Sequence, residues 1–214
     1  MKYTHILWDF NGTILDDVQV GIDSVNVLLK KRGIDEIGSI EQYKTAFGFP
    51  IVDYYKRIGF DFSKEPFSEV AVEWVDEYIS RVPLAKINDG AKEMLELFKK
   101  LGLKQILVSA TEEKMLNNQL EMLGIRELFD DVLGLDNIHA HDKISVAEEW
   151  RKKNPCAVAI FVGDTDHDFE TACAVGAECI LYSGGHQSLE KLQKNSVRII
   201  SHLAELENIV CDLK

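Results

Sequence analysis

The chain has 214 residues, 46% of them hydrophobic, and a formal net charge of −12, enough for one large domain or a domain with an insert. That charge opposes a nucleic-acid partner, because phosphate contacts need clustered Lys and Arg. No apolar run reaches the 18 or so residues of a membrane-spanning helix, and Met1-Lys2-Tyr3-Thr4 leads straight into a strand, so neither membrane span nor signal peptide is expected.

Thr4–Trp8 predicts a buried strand that stops at Asp9, after which Gly12-Thr13 turns the backbone outward. The next strand is far away. Val18, Ile22, Val25 and Leu28 form an amphipathic helix ended by Gly33, and Tyr43–Phe47, Ile51–Ile58 and Phe67–Ile79 are predicted helical with no strand between them. About 65 such residues are too many for a crossover. They predict a separate helical cap over 17–82, entered near Asp16-Asp17, left near Val82-Pro83 and joined by two hinge strands. Ala91, Met94, Leu95, Phe98 and Leu101 then make a helical stripe stopped by Gly102, and Lys104–Val108 reads as a strand. A second stripe of Met115, Leu116, Leu120 and Leu123 stops at Gly124. Further strands are expected at Asp131–Leu133, Ala157–Val162, Glu178–Tyr182 and Val197–Ile200, with Ser201 capping a last helix of Leu203, Leu206 and Ile209. Strands with continuous apolar character belong in a parallel sheet covered on both faces. The expected fold class is α/β: a doubly wound parallel-sheet (Rossmann-like) core of 1–16 and 83–214 with an inserted helical-bundle cap.

Chemistry-bearing residues recur at strand ends. Asp9-Phe10-Asn11-Gly12-Thr13 follows the first strand, with backbone N–H groups able to face an anion. Ser109-Ala110 follows Ile106-Leu107-Val108, Lys143 follows the loop after Leu133, and Gly163-Asp164-Thr165-Asp166-His167-Asp168 follows Ala159–Val162. In an open α/β sheet these ends converge on the ligand crevice. Such a pocket suits phosphoryl transfer. Asp9 is a candidate nucleophile. Asp9, Asp164 and the Asn11 backbone carbonyl are candidate Mg²⁺ ligands, with Asp168 ordering metal-bound water or Lys143. Lys143, Ser109, Ala110 and the Asn11-Gly12 turn would bind the phosphoryl oxygens.

The order Asp-x-x-Gly-Thr, Ser after a second strand, Lys, then Gly-Asp-x-x-x-Asp resembles the haloacid dehalogenase superfamily across essentially the whole chain. The helical insert after the first motif resembles the branch that includes phosphoglycolate phosphatases and β-phosphoglucomutase. That resemblance implies Mg²⁺-dependent hydrolysis of a small phosphorylated metabolite, with Asp9 as nucleophile, Ser109 and Lys143 on the phosphate and Asp164 completing the metal site. A cytoplasmic protein, a monomer or weak homodimer, is expected. Two positions depart from the pattern. Lys143-Ile144 replaces the family's usual Lys-Pro, and Asn11 stands where most of its phosphatases carry an Asp that exchanges protons. Losing a general acid–base costs about 10²–10⁴ in rate. His167, Asp16 and Asp17 are the nearby candidates to replace it, and a phosphotransferase or a phosphate-binding protein are the alternative activities.

Other features read as structural. His139-Ala140-His141-Asp142 lacks a third soft ligand and is expected to be a polar loop. Trp74 and Trp150 are expected to pack in cap or core. Phe47-Gly48-Phe49-Pro50 is a candidate substrate-facing or stapling turn. Cys156, Cys173, Cys179 and Cys211 show no metal or disulfide spacing and are expected to be reduced and mostly buried.

Overall fold

A computed structural model describes residues 2–135 and 142–211. In chain order the elements are β1 (His5–Trp8), β2 (Leu15–Asp16), α1 (Val18–Lys31), α2 (Ile40–Ala46), α3 (Ile51–Arg57), α4 (Phe67–Arg81), β3 (Lys86–Ile87), α5 (Ala91–Lys100) and β4 (Lys104–Glu112). There follow α6 (Glu113–Met122), β5 (Asp131–Leu135), α7 (Lys143–Lys153), β6 (Ala159–Gly163), α8 (Asp166–Ala174), β7 (Glu178–Tyr182), α9 (Leu189–Leu192), β8 (Arg198–Ile200) and α10 (Leu206–Val210). Six strands form one parallel sheet in the order β5-β4-β1-β6-β7-β8. The chain winds outward from β1 in both directions, as a doubly wound sheet requires.

Alternation within each central strand feeds two cores. Ile6, Trp8, Leu107, Ile160, Val162 and Ile180 face one layer, where Leu95, Phe98, Leu116, Leu120 and Leu206 cover them. Leu7, Ile106, Val108, Phe161 and Leu181 face the other, under Ala147, Trp150, Ala172 and Leu192. Because both faces are buried, the strands read as unbroken apolar runs. Gln105 is the polar exception. It is fully buried in β4 and accepts from Trp8 Nε1 (3.1 Å) while donating to the carbonyls of Leu95 (2.7 Å) and Leu128 (3.0 Å). With each polar atom bonded, it avoids the desolvation cost of an unpaired amide.

The helices α1 to α4 share an apolar cluster of their own, in which Val25, Leu28, Leu29, Tyr55, Phe60 and Val70 are buried. Chain entry and exit run side by side, since β2 and β3 pair antiparallel through Leu15↔Ile87 and Asp16↔Lys86. The insert's long edge is tied by Arg32. Its Nε and Nη2 bond Glu65 (2.7 and 2.8 Å), and Nη1 reaches Glu73 at 3.2 Å.

Several boundaries differ from sequence expectation. β4 continues through Ser109 and Ala110 to Glu112, with a register shift after Val108. Strand pairing outlasts the apolar run because β5 follows it to Leu135. The last helix is not capped by Ser201. A 3₁₀ turn over Leu203–Glu205 precedes α10, and the Glu205 carboxylate accepts from the amides of Ser201 and His202 (2.8 Å each). Of the cysteines only Cys179 is buried, whereas Cys156 and Cys173 are exposed. Cys173 lies on the solvent side of α8, opposite the core-facing Ala172. Trp150 is buried in the second core and Trp74 stacks on Tyr78 at 4.8 Å. His139 and His141 lie outside the described residues, and Asp142 caps α7 by accepting from Ser145 N at 2.7 Å.

Replacing Arg32 with Ala is expected to lower stability by roughly 1 kcal/mol at pH 7, because the pair geometry is bidentate but partly solvated. The Arg32 hydrogen bonds hold the Glu65 and Glu73 carboxyls below their usual range. Depressed carboxyl pKa values stabilise at neutral pH, and that contribution disappears as pH falls below the ordinary carboxylate range. Urea melts should therefore show the native-to-variant gap closing between about pH 5 and pH 3. A gap constant across that window would contradict the assignment.

Candidate active site

The strand ends converge as the topology demands. Asp9 follows β1 directly, its amide donates to Val162 O at 2.9 Å, and Trp8 pairs with both Leu107 and Val162. The loop after β6 therefore stands beside Asp9. Carboxylate oxygens of Asp9, Asp164 and Asp168 lie within 4.8 Å of one another, all buried. Lys143, at the first turn of α7 and 3% exposed, bonds both Asp9 and Asp168 through its ammonium.

Asp168 is fully engaged. Its Oδ2 accepts from the amides of Asp164 (3.0 Å) and Thr165 (2.9 Å) and from Thr165 Oγ1 (2.7 Å), completing a capping box on α8, while Oδ1 meets Lys143. The first helical turn thus holds the acid rigid. Asp164 accepts from Thr13 Oγ1 (3.2 Å) and the His186 amide (2.6 Å). Gly12, at φ +78°, comes so close to Asp164 that a Cβ would collide with its carboxylate. A side chain at 12 would be both strained and obstructed.

Charge is unbalanced here. Burial and the neighbouring Asp168 carboxylate raise the Asp9 pKa well above its usual value, and burial pushes Asp164 up to about 6. Burial opposes Asp168's ionisation too, yet the Lys143 charge and hydrogen bond keep it below the normal range. Lys143 is held cationic by Asp168 and Asp9 against its own desolvation. Three acids on one ammonium leave an all-oxygen pocket short of positive charge, which fits a hard divalent cation such as Mg²⁺. Asp9 and Asp164 would hold it, since the oxygens of Asp168 are already committed.

The other expected residues are distributed unevenly. Ser109 is buried and its Oγ accepts from Thr111 N at 3.1 Å, while Ala110 is exposed. The Gly12 amide, expected to face an anion, donates instead to Leu15 O (2.9 Å) and Asp17 Oδ1 (2.8 Å). Asn11 donates through Nδ2 to Asp17 Oδ2 (2.9 Å) and Tyr78 OH (2.7 Å), and accepts at Oδ1 from Thr111 Oγ1 (3.2 Å). Of the three suggested proton carriers, Asp16 is exposed and His167 contacts Glu170 (3.2 Å) and the Phe49 ring (4.8 Å). Asp17 alone is buried against the motif.

Sequence reasoning missed His186 and Tyr78. His186 follows β7 in Gly184-Gly185-His186-Gln187, so the rule that found Asp164, polar residues at a strand's carboxyl end, applies equally to it. Its Nε2 lies 3.1 Å from Asp17 and its Nδ1 2.9 Å from Tyr43 OH. Burial would lower its pKa, but Asp17 lifts it to about 9, so both ring nitrogens donate at neutral pH. Tyr78 reaches the site from α4, and no local pattern distinguishes it from a packing aromatic. Phe47 rests 5.1 Å from His186, placing the Phe47–Pro50 turn against the β7 loop.

A buried acid triad and lysine stand together at the carboxyl edge of a doubly wound parallel sheet, where α/β enzymes assemble their sites from separate strand ends. The chain belongs to the haloacid dehalogenase-like hydrolase family, the model of which matches residues 6–182. It is 28% identical over 200 residues to a candidate pyrophosphatase, PpaX, of Caldanaerobacter subterraneus subsp. tengcongensis, covering 91% of this chain and 88% of that one. A phosphoglycolate phosphatase of Pseudomonas savastanoi pv. phaseolicola is 22% identical over 214 residues, with 94% and 77% covered. Among solved structures, the haloacid dehalogenase-like protein SP0104 of Streptococcus pneumoniae superposes with a TM-score of 0.83 at 19% identity, covering 98% and 99%.

Replacing Lys143 with Met would strand two buried carboxylates. The expected loss in chelator-treated protein is about 3–5 kcal/mol, measured by denaturant unfolding. A variant as stable as the native chain would show that Asp9 and Asp168 are not charged together.

Proposed function

We propose that this protein is a phosphatase, similar to phosphoglycolate phosphatases, that hydrolyses a small phosphomonoester through an aspartyl phosphate on Asp9. The observation that carries the reading is the Lys143 ammonium bonded to both Asp9 and Asp168, with Asp164 within reach. The name of the phosphoglycolate phosphatase relative agrees with it, and that of the pyrophosphatase relative with phosphoryl hydrolysis more broadly.

In the first step an Asp9 oxygen attacks phosphorus, the bond from phosphorus to the ester oxygen breaks, and that oxygen leaves as an anion that takes its proton from solvent. In the second, water attacks the phosphorus and gives up its proton to solvent, the Asp9–phosphate bond breaks and the carboxylate is restored. Lys143 and Ser109 neutralise and hydrogen-bond the transferring oxygens. Mg²⁺ on Asp9, Asp164 and the Asn11 carbonyl would supply charge neutralisation for both the phosphoryl group and the crowded acids. Asn11 has no proton to exchange, so acyl or aryl phosphates, whose leaving oxygens need little protonation, suffer least. Residues 17–82 act as a cap over the sheet's carboxyl edge, excluding water and reading the substrate's non-phosphate part.

A second reading is phosphoryl transfer to an acceptor other than water. The Asn11 amide is not a base, and its Nδ2 donates to Asp17 and Tyr78, so water is not specifically activated at position 11. Product analysis with an acceptor sugar separates the two.

Phosphate release from a panel of small phosphomonoesters should require Mg²⁺. It should fall at least about 10³-fold in Asp9→Asn, because the nucleophile is lost. Turnover that survives Asp9→Asn would sink the covalent route.

A further inference from the structure

Asp17 occupies the residue before α1 but makes no cap bond to that helix. Its side chain turns back into the core, 1% exposed, and collects four partners. Oδ1 accepts from the Gly12 amide (2.8 Å) and His186 Nε2 (3.1 Å), and Oδ2 accepts from Asn11 Nδ2 (2.9 Å) and Tyr78 OH (2.7 Å). His186 continues the chain to Tyr43 OH. One carboxylate thus joins the turn after Asp9, the loop after β7, and helices α2 and α4.

The Asn11 amide has to be a donor toward Asp17. A carboxylate at the half-buried position 11 would put two anions about 3 Å apart beside Asp9 and remove the hydrogen bond between them. We infer that Asp17 is a positioning residue for catalysis, the anion that orients the Asn11-Gly12 turn, and that Asn11 is its required complement rather than an isolated loss of function. The acid of this network stands at position 17 and its amide donor at position 11. The turn that aims Asp9 is therefore held in place by the same carboxylate that takes the Tyr78 hydroxyl from the insert.

The inference rests on the phosphatase reading for its kinetic readout, and has a thermal one of its own. Four chains decide it: native, Asn11→Asp, Asp17→Asn, and the exchanged pair carrying both substitutions. In the exchanged pair the amide introduced at position 17 donates to the carboxylate introduced at position 11, which reverses the native direction of the bond.

Each single substitution should lower kcat by about 10-fold or more, with KM changed little, and lower Tm. The exchanged pair should recover most of both, so that Asn11→Asp is harmful in the native chain and beneficial once Asp17→Asn is present. A purely structural role would restore Tm without that reversal in kcat. Tyr78→Phe, which removes one hydroxyl and conserves the ring, should lower kcat in the native chain and serves should Asp17→Asn fail to fold. A gain of activity from Asn11→Asp alone, or singles whose effects simply add in kcat and Tm, would overturn the inference. If no variant releases phosphate from any substrate, the phosphatase reading fails, and the Tm cycle alone then decides whether positions 11 and 17 are coupled.

Discussion

The shared ammonium of Lys143 is the interaction on which the carboxyl edge of the sheet depends. Asp168 commits one oxygen to that ammonium and the other to the first turn of α8, so the lysine is fixed to a helix start rather than to a mobile side chain. Asp9 is held to the same ammonium from the neighbouring strand. Each acid would be costly to bury by itself. Together they are tolerable only because β1, β6, α7 and α8 are locked at a separation that lets one cation serve two of them. The parallel register and the capping box bring these groups that close, and a glycine at 12 leaves room for the Asp164 carboxylate.

Around that centre lies a second charged layer of the opposite character. Asp17 and His186 are oppositely charged and buried side by side, with two tyrosines and the Asn11 amide satisfying what remains. Full satisfaction makes such a network rigid. The inner layer is short of positive charge and so is receptive to a cation. The outer one is balanced and so fixes geometry.

Much of the fold was legible because burial on both faces writes itself into continuous apolar strands, and because Gly33, Gly102 and Gly124 mark helix ends at positive φ. Asp9 and Asp164 were legible for a different reason, since they sit where a strand must end, and Lys143 and Asp168 open the helices that follow such strands. What escaped was long-range or orientational. Ser201 looked like a cap, but Glu205 reaches its amide first. Gly12 looked free to hold an anion, but Asp17, five residues on, claims its N–H. Tyr78 is separated from Asn11 by 67 residues, and nothing in a helical aromatic announces that its hydroxyl, not its ring, matters. His186 lies within reach of the strand-end rule, and the acid it pairs with, Asp17, is 169 residues away in the chain.

The ribbon of β2 and β3 has a topological consequence. Leu15 and Ile87 are paired neighbours, so the two points where the helical insert leaves and rejoins the sheet lie about 5 Å apart. Such a gap can be bridged by a short turn, so an insert of any size can hang from this stem without disturbing the register of the strands beneath. A stem this narrow lets the whole helical insert vary in size and sequence while the acids and lysine beneath it keep their positions.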